Sequence, residues 1–414
     1  MLAVFLFNFL AMPWLAQHQI KEVDYNTFVE MVEQDKVGKV EIQEQDNRIL
    51  FTGLTGGNGY DYSCNPKYIY EYMRKQDEGQ YEYVWAVKDP AQYDFLKEEG
   101  VRVVKHFTLS SIPMLLTSRV VVTNGSYVPW FPFRKSQYVI NTWHGGGAYK
   151  KVAMETDKSD WSARRMRAFC ANNMRLFVAS CRAQEEQMIR KTYQYRGDVL
   201  QCGTPRNDFL VCHKTEDANV KVRTKYQIPM DARIVLYAPT YRYGKIPAHL
   251  SCDALLQRLE VTGEQWVFFN RYHRYQTADM NVQVTGQRMI DVMDYPDMQE
   301  LLAAADVLIT DYSSSVWDYG FLYRPCILYV PDKEEYMEQT GFYVGLEEWP
   351  FPQAVTESQV AEKILTLMQG TEDYSDYVEQ INRHYEQLGS YETGHAAETI
   401  CNRIREVIHG TDNR

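Results

Sequence analysis

Short apolar runs alternate with longer amphipathic stretches from about residue 60 onward. Runs typical of buried strands lie at residues 83–87, 101–104, 120–123 and 138–142. Helical patterns precede the first three of these runs, at residues 67–74, 92–99 and 110–117. Alternating units of this length indicate a parallel sheet covered by helices on both faces. We therefore predict an α/β fold whose ligands bind at the carboxyl ends of the strands.

The same pattern restarts after a polar link at residues 214–218. Further apolar runs follow, at residues 234–238, 266–269, 307–310 and 327–330, and residues 355–408 are predicted to form two or three closing helices. The restart indicates a second α/β domain.

The first 16 residues are the one membrane-like segment of the sequence. They are short for a membrane span, which needs roughly 17–25 residues, and they include Asn8 and Pro13. Polar and apolar residues then alternate at 39–42 and 48–52, as in two half-buried strands. We interpret residues 1–53 as an appended module. If its apolar part inserts into a membrane, Lys21 favours a cytoplasmic location for the rest of the chain.

One predicted strand ends in Trp-His-Gly-Gly-Gly, residues 143–147. Three consecutive glycines allow the backbone to approach a ligand closely and to adopt positive φ. His144, just before them, is suited to act as a general base near neutral pH. The alternative is a hydrogen-bonded histidine in a turn.

Candidate anion-binding residues follow three strands of the second half. They are Thr240 with Arg242, Arg271 with His273, and Ser313 with Ser314, next to Asp311. The serines precede a predicted helix, whose first N–H groups attract anions. Each residue also has a simpler interpretation, since serines often cap helices and arginines are often solvated or paired. Together they predict a diphosphate site.

A further turn at residues 203–208 contains Arg206, which could bind a phosphate, and Asn207 and Asp208, which could simply build the turn.

Composition narrows the function. The chain has 414 residues, is 45% apolar, and carries a net charge of −11, which argues against a broad nucleic-acid surface. Its eight cysteines lack zinc spacing, so a reducing compartment fits better than a disulfide framework. Because the sequence has no Asp-x-Asp pair, we expect no obligatory metal and no cofactor.

Four ordered motifs resemble the CDP-glycerol glycerophosphotransferase family of teichoic acid synthesis. They are Trp-His-Gly with Lys150 and Lys151 downstream, Gly-Thr-Pro-Arg-Asn-Asp (203–208), Tyr-Ala-Pro-Thr-Tyr-Arg (237–242) and Thr-Asp-Tyr-Ser-Ser (310–314). The resemblance implies a GT-B architecture, with two Rossmann-like domains facing across a cleft. We place the acceptor domain at residues 54–212 and the donor domain at residues 213–414. Residues 1–53 resemble the membrane segment and small extracytoplasmic domain of FtsH proteases, but no protease motif follows them.

Site roles also follow from this resemblance. His144 matches the proposed base, His273 a second histidine at the donor phosphates, and Ser313 and Ser314 phosphate-contacting serines. The remaining expected substrate contacts are Gly145, Gly146, Lys150, Arg206, Asn207, Thr240, Arg242, Arg271 and Asp311. Two departures stand out. Gly146 and Gly147 replace the Thr-Pro frequent in the family and suggest a wider acceptor side, while Arg274 replaces a proline and weakens the case for His273.

The resemblance implies transfer of glycerol phosphate from CDP-glycerol to a hydroxyl of a lipid-linked glycerol phosphate or disaccharide acceptor. We expect the reaction to take place at the cytoplasmic face of the cell membrane. The expected partners include the membrane surface but no nucleic acid. Two alternatives remain, a GT-B glycosyltransferase using a sugar nucleotide and a non-catalytic membrane adaptor. The acceptor, the choice between glycerol and ribitol phosphate, priming versus polymerisation, and the oligomeric state stay open.

Overall fold

The computed structural model describes residues 45–55, 59–125, 131, 133–152, 160–240, 249–272, 288–370 and 372–410, with isolated positions 27, 30, 31 and 34. Residues 1–43 form a separate unit from residues 44–414. The predicted membrane-like segment and the predicted strand at 39–42 lie outside the described residues, as do Arg242 and His273. Among the described residues, no helix is long and apolar enough to cross a membrane.

The first sheet has eight strands and is parallel except for one short strand. Its strands are β1 (Gln45–Thr55), β2 (Gly59–Asp61), β3 (Glu82–Val87), β4 (Arg102–Lys105), β5 (Ser118–Thr123), β6 (Tyr138–Asn141), β7 (Leu176–Ala179) and β8 (Asp198–Gln201). The order is β4-β3-β1-β5-β6-β7-β8, and β2 pairs antiparallel with β1. The order reverses between β1 and β5, so their carboxyl ends form the crevice where such sheets bind ligands.

The domain boundary that we expected at residue 53 is wrong. Strand β1 lies at the centre of the first sheet and pairs parallel with both β3 and β5. Ile49, Leu50 and Phe51 are fully buried, because the two faces of the sheet are both covered. A central parallel strand is apolar on consecutive positions rather than on alternate ones. Residues 45–53 therefore belong to the first sheet.

The second sheet has six strands, all parallel. They are β9 (Arg233–Tyr237), β10 (Trp266–Asn270), β11 (Met289–Asp291), β12 (Val307–Thr310), β13 (Cys326–Tyr329) and β14 (Gln353–Ala354). Their order is β11-β10-β9-β12-β13-β14, with the reversal between β9 and β12. The three strands predicted to carry anion-binding residues, β9, β10 and β12, are therefore neighbours.

Helices cover both sheets. They are α1 (Cys64–Gln76), α2 (Asp94–Glu98), α3 (Ser111–Thr117), α4 (Asp160–Asn173), α5 (Asp208–Val211), α6 (Glu216–Tyr226), α7 (Cys252–Leu259), α8 (Met298–Ala304), α9 (Ser315–Gly320), α10 (Lys333–Gln339), α11 (Glu357–Met368), α12 (Glu372–Leu388) and α13 (Ala396–Ile408). A π-helix spans Gln184–Thr192, and 3₁₀ turns lie at Pro90–Gln92, Pro205–Asn207, Glu260–Thr262 and Leu346–Glu348.

The last helix returns to the first sheet. Ile400, Cys401 and Ile404 of α13 share one buried core with Ile49 of β1 and Val120 of β5. The donor domain expected at residues 213–414 is therefore wrong at its carboxyl end, because α13 packs on the acceptor-side sheet.

A buried ion pair joins the two sheets' helices. Lys67 on α1 lies 2.5 Å from the carboxylate of Asp297, which caps the first turn of α8, and the Tyr68 hydroxyl donates to the same carboxylate at 2.9 Å. This contact holds α1, which packs on the first sheet, against α8 of the second half of the chain.

Candidate active site

His144 follows β6 in a turn with an unusual backbone. Trp143 adopts a φ of +53°, a left-handed conformation that non-glycine residues rarely take. Its N–H donates to Asn141 Oδ1 at 2.8 Å, and the rings of Trp143 and His144 stack with centroids 4.3 Å apart. Such strain persists only where the surroundings hold it in place, and it clusters at functional sites.

The backbone fixes the tautomer of His144. Its Nδ1 lies 3.1 Å from the carbonyl oxygen of Asn124, which can only accept a hydrogen bond. Nδ1 therefore carries the proton, and Nε2 keeps the lone pair that a general base needs.

The surroundings favour a neutral ring at His144. Close packing of protein around the histidine, together with the positive charges of Arg206 and Lys150, lowers the pKa of His144 below its usual value, against the opposing effect of the Asn124 carbonyl. The ring is accessible to solvent, which limits this reduction. Neutral His144 is the form that can accept a proton.

Three side chains hold the carbonyl oxygens of the turn around His144. Asn65 Nδ2 donates to Thr142 O at 3.0 Å and to Trp143 O at 2.9 Å. Arg206 Nη1 donates to His144 O at 2.6 Å, and Gln184 Nε2 donates to Gly145 O at 2.8 Å. No sequence pattern marks Asn65 or Gln184 as functional, because neither lies in a motif with the histidine. These residues fix where the ring of His144 stands.

The glycine run makes room for a side chain of the second domain rather than for a ligand. A Cβ on Gly146 would lie 2.0 Å from Trp317 Cδ1, and one on Gly147 would lie 2.9 Å from Trp317 Cε3. Gly147 also has a φ of +69°. The wider acceptor side expected from these glycines is therefore wrong, since the Trp317 indole fills that space.

The serine turn before α9 lies against Gly145. Ser314 Oγ is 3.0 Å from the point that a Cβ on Gly145 would occupy. Ser313 Oγ accepts from the Ser315 N–H at 3.2 Å, so Ser313 caps the helix, whereas the Ser314 side chain makes no capping hydrogen bond. Both serines are half-buried. Of the two roles predicted for the serines, helix capping therefore belongs to Ser313, and anion binding is left to Ser314.

Asp311 and Thr240 connect the ends of neighbouring strands β12 and β9. The buried carboxylate of Asp311 accepts from the Thr240 N–H at 2.8 and 3.0 Å and from the Tyr312 N–H at 2.6 Å. These bonds shape the switch point of the second sheet.

Arg271, at the end of β10, is partly engaged by the backbone. Its Nη1 donates to the carbonyl oxygens of Val292 and Tyr295 at 2.8 and 3.0 Å. The structure therefore gives Arg271 a role in holding the loop after β11.

Arg206 and Asn207 hold the two halves of the molecule together. Arg206 Nη2 donates to Asp318 Oδ2 at 2.7 Å, and Asn207 Nδ2 donates to Asp318 Oδ1 at 2.7 Å. All three residues are buried, and the negative charge of Asp318 raises the pKa of Arg206 against the effect of burial. We expected Arg206 to contact a phosphate directly, but its guanidinium instead binds Asp318 and the carbonyl oxygen of His144. No sequence pattern identifies Asp318 as part of the site.

Lys150 lies where a segment of the first half pairs with the second. It forms an antiparallel bridge with Phe342, and the N–H of Tyr343 donates to Tyr149 O at 2.7 Å. Lys150 is half-buried, and its charge acts on the pKa of His144. Within the described ranges, no group of three or more His, Cys, Asp or Glu side chains could hold a metal ion.

Comparisons with known proteins agree with this arrangement. A teichoic acid poly(glycerol phosphate) polymerase of Bacillus spizizenii is 27% identical over 361 residues, covering 84% of this chain and 90% of that protein. The Bacillus subtilis protein of the same name is 28% identical over 359 residues, but the match spans only 47% of its length. The structure of the wall teichoic acid polymerase TagF matches with a TM-score of 0.78 at 25% identity, over 95% of this chain and 100% of that one.

The expected GT-B-like α/β architecture is therefore confirmed. A sequence model of the CDP-Glycerol:Poly(glycerophosphate) glycerophosphotransferase family matches residues 38–406, which is most of the chain. The chain belongs to the CDP-glycerol glycerophosphotransferase family.

Proposed function

We propose that this protein transfers glycerol phosphate from CDP-glycerol to a hydroxyl group of a teichoic acid acceptor, with His144 as the general base. The observation that carries the proposal is the contact between the His144 turn and the serine turn. Ser314 Oγ lies 3.0 Å from the Cβ position of Gly145, the residue after His144. A base and an anion-binding turn therefore face one space.

The proposed reaction is a direct displacement at phosphorus. The acceptor hydroxyl gives its proton to His144 Nε2 while its oxygen attacks the phosphorus that carries glycerol. The bond from that phosphorus to the bridging oxygen breaks, and CMP leaves with the negative charge. The proton on His144 then passes to solvent. Phosphoryl transfer asks the protein mainly for positioning and charge stabilisation.

The second sheet supplies the groups that stabilise this charge. The hydroxyl of Ser314, which no capping bond occupies, and the N–H groups at the start of α9 are suited to the donor phosphates. By resemblance, Arg242 and His273, which follow β9 and β10 in the sequence, are expected to act on the same phosphates. Asp311 and Thr240 support the same turn.

The acceptor and the place of action are proposed on the resemblance. We infer that the acceptor is lipid-linked and that the enzyme works at the cytoplasmic face of the membrane, where CDP-activated donors are made. Residues 1–43 would then tether the enzyme near its acceptor rather than take part in chemistry.

The test is product analysis with a set of donors. The protein is incubated with a lipid-linked disaccharide acceptor and with CDP-glycerol, CDP-ribitol or a UDP-sugar in turn. We expect CMP release and acceptor elongation with CDP-glycerol. UDP release from the sugar nucleotide would indicate a glycosyltransferase instead, and a preference for CDP-ribitol would change the donor.

A further inference from the structure

Asp318 lies inside the helix that begins with the serine turn. It is only 2% exposed, yet no positive charge of its own domain neutralises it among the donors that the structure shows. Those donors are Arg206 Nη2 at 2.7 Å, Asn207 Nδ2 at 2.7 Å and Gln299 Nε2 at 2.9 Å. A buried carboxylate needs such compensation, because an unpaired charge away from water is costly.

The partner of Asp318 reaches directly to the base. Arg206 follows β8 in the first half of the chain, and it is 7% exposed. One nitrogen of its planar guanidinium binds Asp318 of α9, and the other donates to the backbone carbonyl of His144 at 2.6 Å. The guanidinium is rigid, so the distance between its two partners is fixed. The Arg206 side chain therefore holds helix α9 and the His144 turn at a fixed distance, and we call it the spacer.

We propose that Asp318 is a positioning residue that sets the spacing between the phosphate-binding serine turn and the base His144. The inference rests on the proposed function, since it assumes that His144 takes the proton. Asp318 is buried, and none of its described hydrogen bonds is to His144. It orients Arg206, which in turn holds the carbonyl of His144.

A second buried ion pair shows what a purely structural contact looks like. Lys67 and Asp297 also join the two halves, at 2.5 Å, and both residues are about as buried as Arg206 and Asp318. Neither side chain donates to the His144 turn among the contacts described. Asp297 also accepts from the N–H of Gln299, and Gln299 binds Asp318, so a control must keep that oxygen. Asp297→Asn keeps it and removes only the charge that pairs with Lys67.

The proposal predicts a specific kinetic defect for Asp318→Asn. The substitution keeps the size of the side chain but removes its charge and one acceptor. A displacement of about 1 Å in a reacting group can cost on the order of 10²-fold in rate. We therefore expect kcat to fall by about 10- to 100-fold, with the KM for CDP-glycerol changed by less than about threefold. The matched variant Asp297→Asn should keep kcat within about threefold.

A double-mutant cycle separates positioning from general damage. In single-turnover assays with radiolabelled CDP-glycerol, Asp318→Asn is compared in the wild-type and His144→Ala backgrounds, with melting temperatures and donor binding measured for all variants. We expect the effect of Asp318→Asn to disappear in the His144→Ala background, since there is no base left to position. An equal loss in both backgrounds, or a loss as large in Asp297→Asn, would overturn the proposal. An unaffected rate in His144→Ala alone would instead refute the proposed base.

Discussion

At the scale of single residues, the site depends on how the backbone presents His144. The carbonyl of Asn124 fixes the tautomer, and the positive φ of Trp143 turns the histidine out of the line of β6. Both features come from the main chain, so the histidine ring is placed without a carboxylate partner among its described contacts. The lowered pKa of His144 favours the neutral ring that the proposed base requires.

Replacing His144 by alanine removes the proposed base. We expect kcat to fall by about 10²–10⁴, the usual contribution of general base catalysis. Binding of CDP-glycerol, measured by calorimetry, should change little, because the proposed site of the donor phosphates is on the second sheet. His395→Ala is the control, since that histidine is exposed at the start of α13. More than about a tenth of the wild-type kcat in His144→Ala would contradict the assignment.

The pH profile of kcat/KM reports the same residue. The base must be neutral, so activity falls as pH drops through the pKa of His144. Close packing of protein around the ring and the charges of Arg206 and Lys150 lower that pKa below its usual value of 6.5. The acidic limb should therefore have its midpoint below about pH 6.5, and activity should stay level above it. The limb should be missing from the residual activity of His144→Ala. A midpoint above pH 6.5 would show that the surroundings favour the charged ring.

Sequence patterns found the residues of local motifs and missed those that act across the fold. His144 and Ser314 each stand at a strand end before a turn, which is visible in a dozen residues. Gln184 contacts a residue 39 positions away, and Asp318 contacts Arg206 across 112 positions. No local sequence pattern marks such a glutamine or aspartate, because its role depends on contacts between segments that are far apart in the sequence.

At the scale of elements, the two adjacent serines before α9 have different hydrogen bonds and therefore different expected roles. Ser313 caps the helix through the Ser315 N–H, while Ser314 makes no capping bond and faces Gly145. The sequence could not separate these roles, since either serine fits the capping position of a short helix.

Alanine variants of the two serines should therefore differ. Ser314→Ala should weaken CDP-glycerol binding by about 1.5–3 kcal/mol, the value of a hydrogen bond to a charged group, with the melting temperature almost unchanged. Ser313→Ala should lower stability by about 0.5–2 kcal/mol, as for a lost cap. Calorimetry and thermal unfolding on both variants measure the contrast. Equal donor affinity in Ser314→Ala and wild type would leave Ser314 without a role in binding.

Strand β1 shows why an element's type is easier to predict than its place. The sequence pattern predicts that residues 48–52 form one strand of a separate half-buried pair. They do form a strand, but it lies at the centre of the first sheet. Ile49, Leu50 and Phe51 form three consecutive apolar positions, which suits a strand covered on both faces. The pairing with β3 and β5 could not be seen locally, since the paired residues are 34 or more positions apart in the sequence.

At the scale of the whole molecule, the chain crosses between its two halves more than once. Helix α13 ends the chain on the first sheet, and Arg206, Trp317 and Asp297 take part in contacts between the halves. His144, the proposed base, follows a strand of one sheet and the serine turn follows a strand of the other, so the proposed active site depends on these contacts. Stability of the interface and activity are therefore linked.

Two truncations test where the catalytic unit begins and what the preceding residues do. Deletion of residues 1–37 keeps the whole matched family region and the unit at 44–414, so the protein should fold and use CDP-glycerol with a water-soluble acceptor analogue. Deletion of residues 1–53 removes most of β1, including Ile49, Leu50 and Phe51. Burial of each such side chain contributes about 1.5–3 kcal/mol, and the total stability of a domain is only about 5–15 kcal/mol. The shorter protein should therefore fail to fold, as judged by circular dichroism and thermal unfolding.

A comparison of the full chain with the protein that lacks residues 1–37 separates tethering from chemistry. If residues 1–37 only bring the enzyme to its acceptor, their deletion should leave kcat on the soluble analogue within about threefold of the full chain. Activity on a lipid-linked acceptor in vesicles should fall more, because the effective concentration of enzyme at the surface is lost. Radiolabelled glycerol phosphate incorporation into both acceptors measures the contrast. Equal retention on both acceptors would remove the tethering role, and loss on the soluble analogue would place part of the catalytic machinery before residue 38.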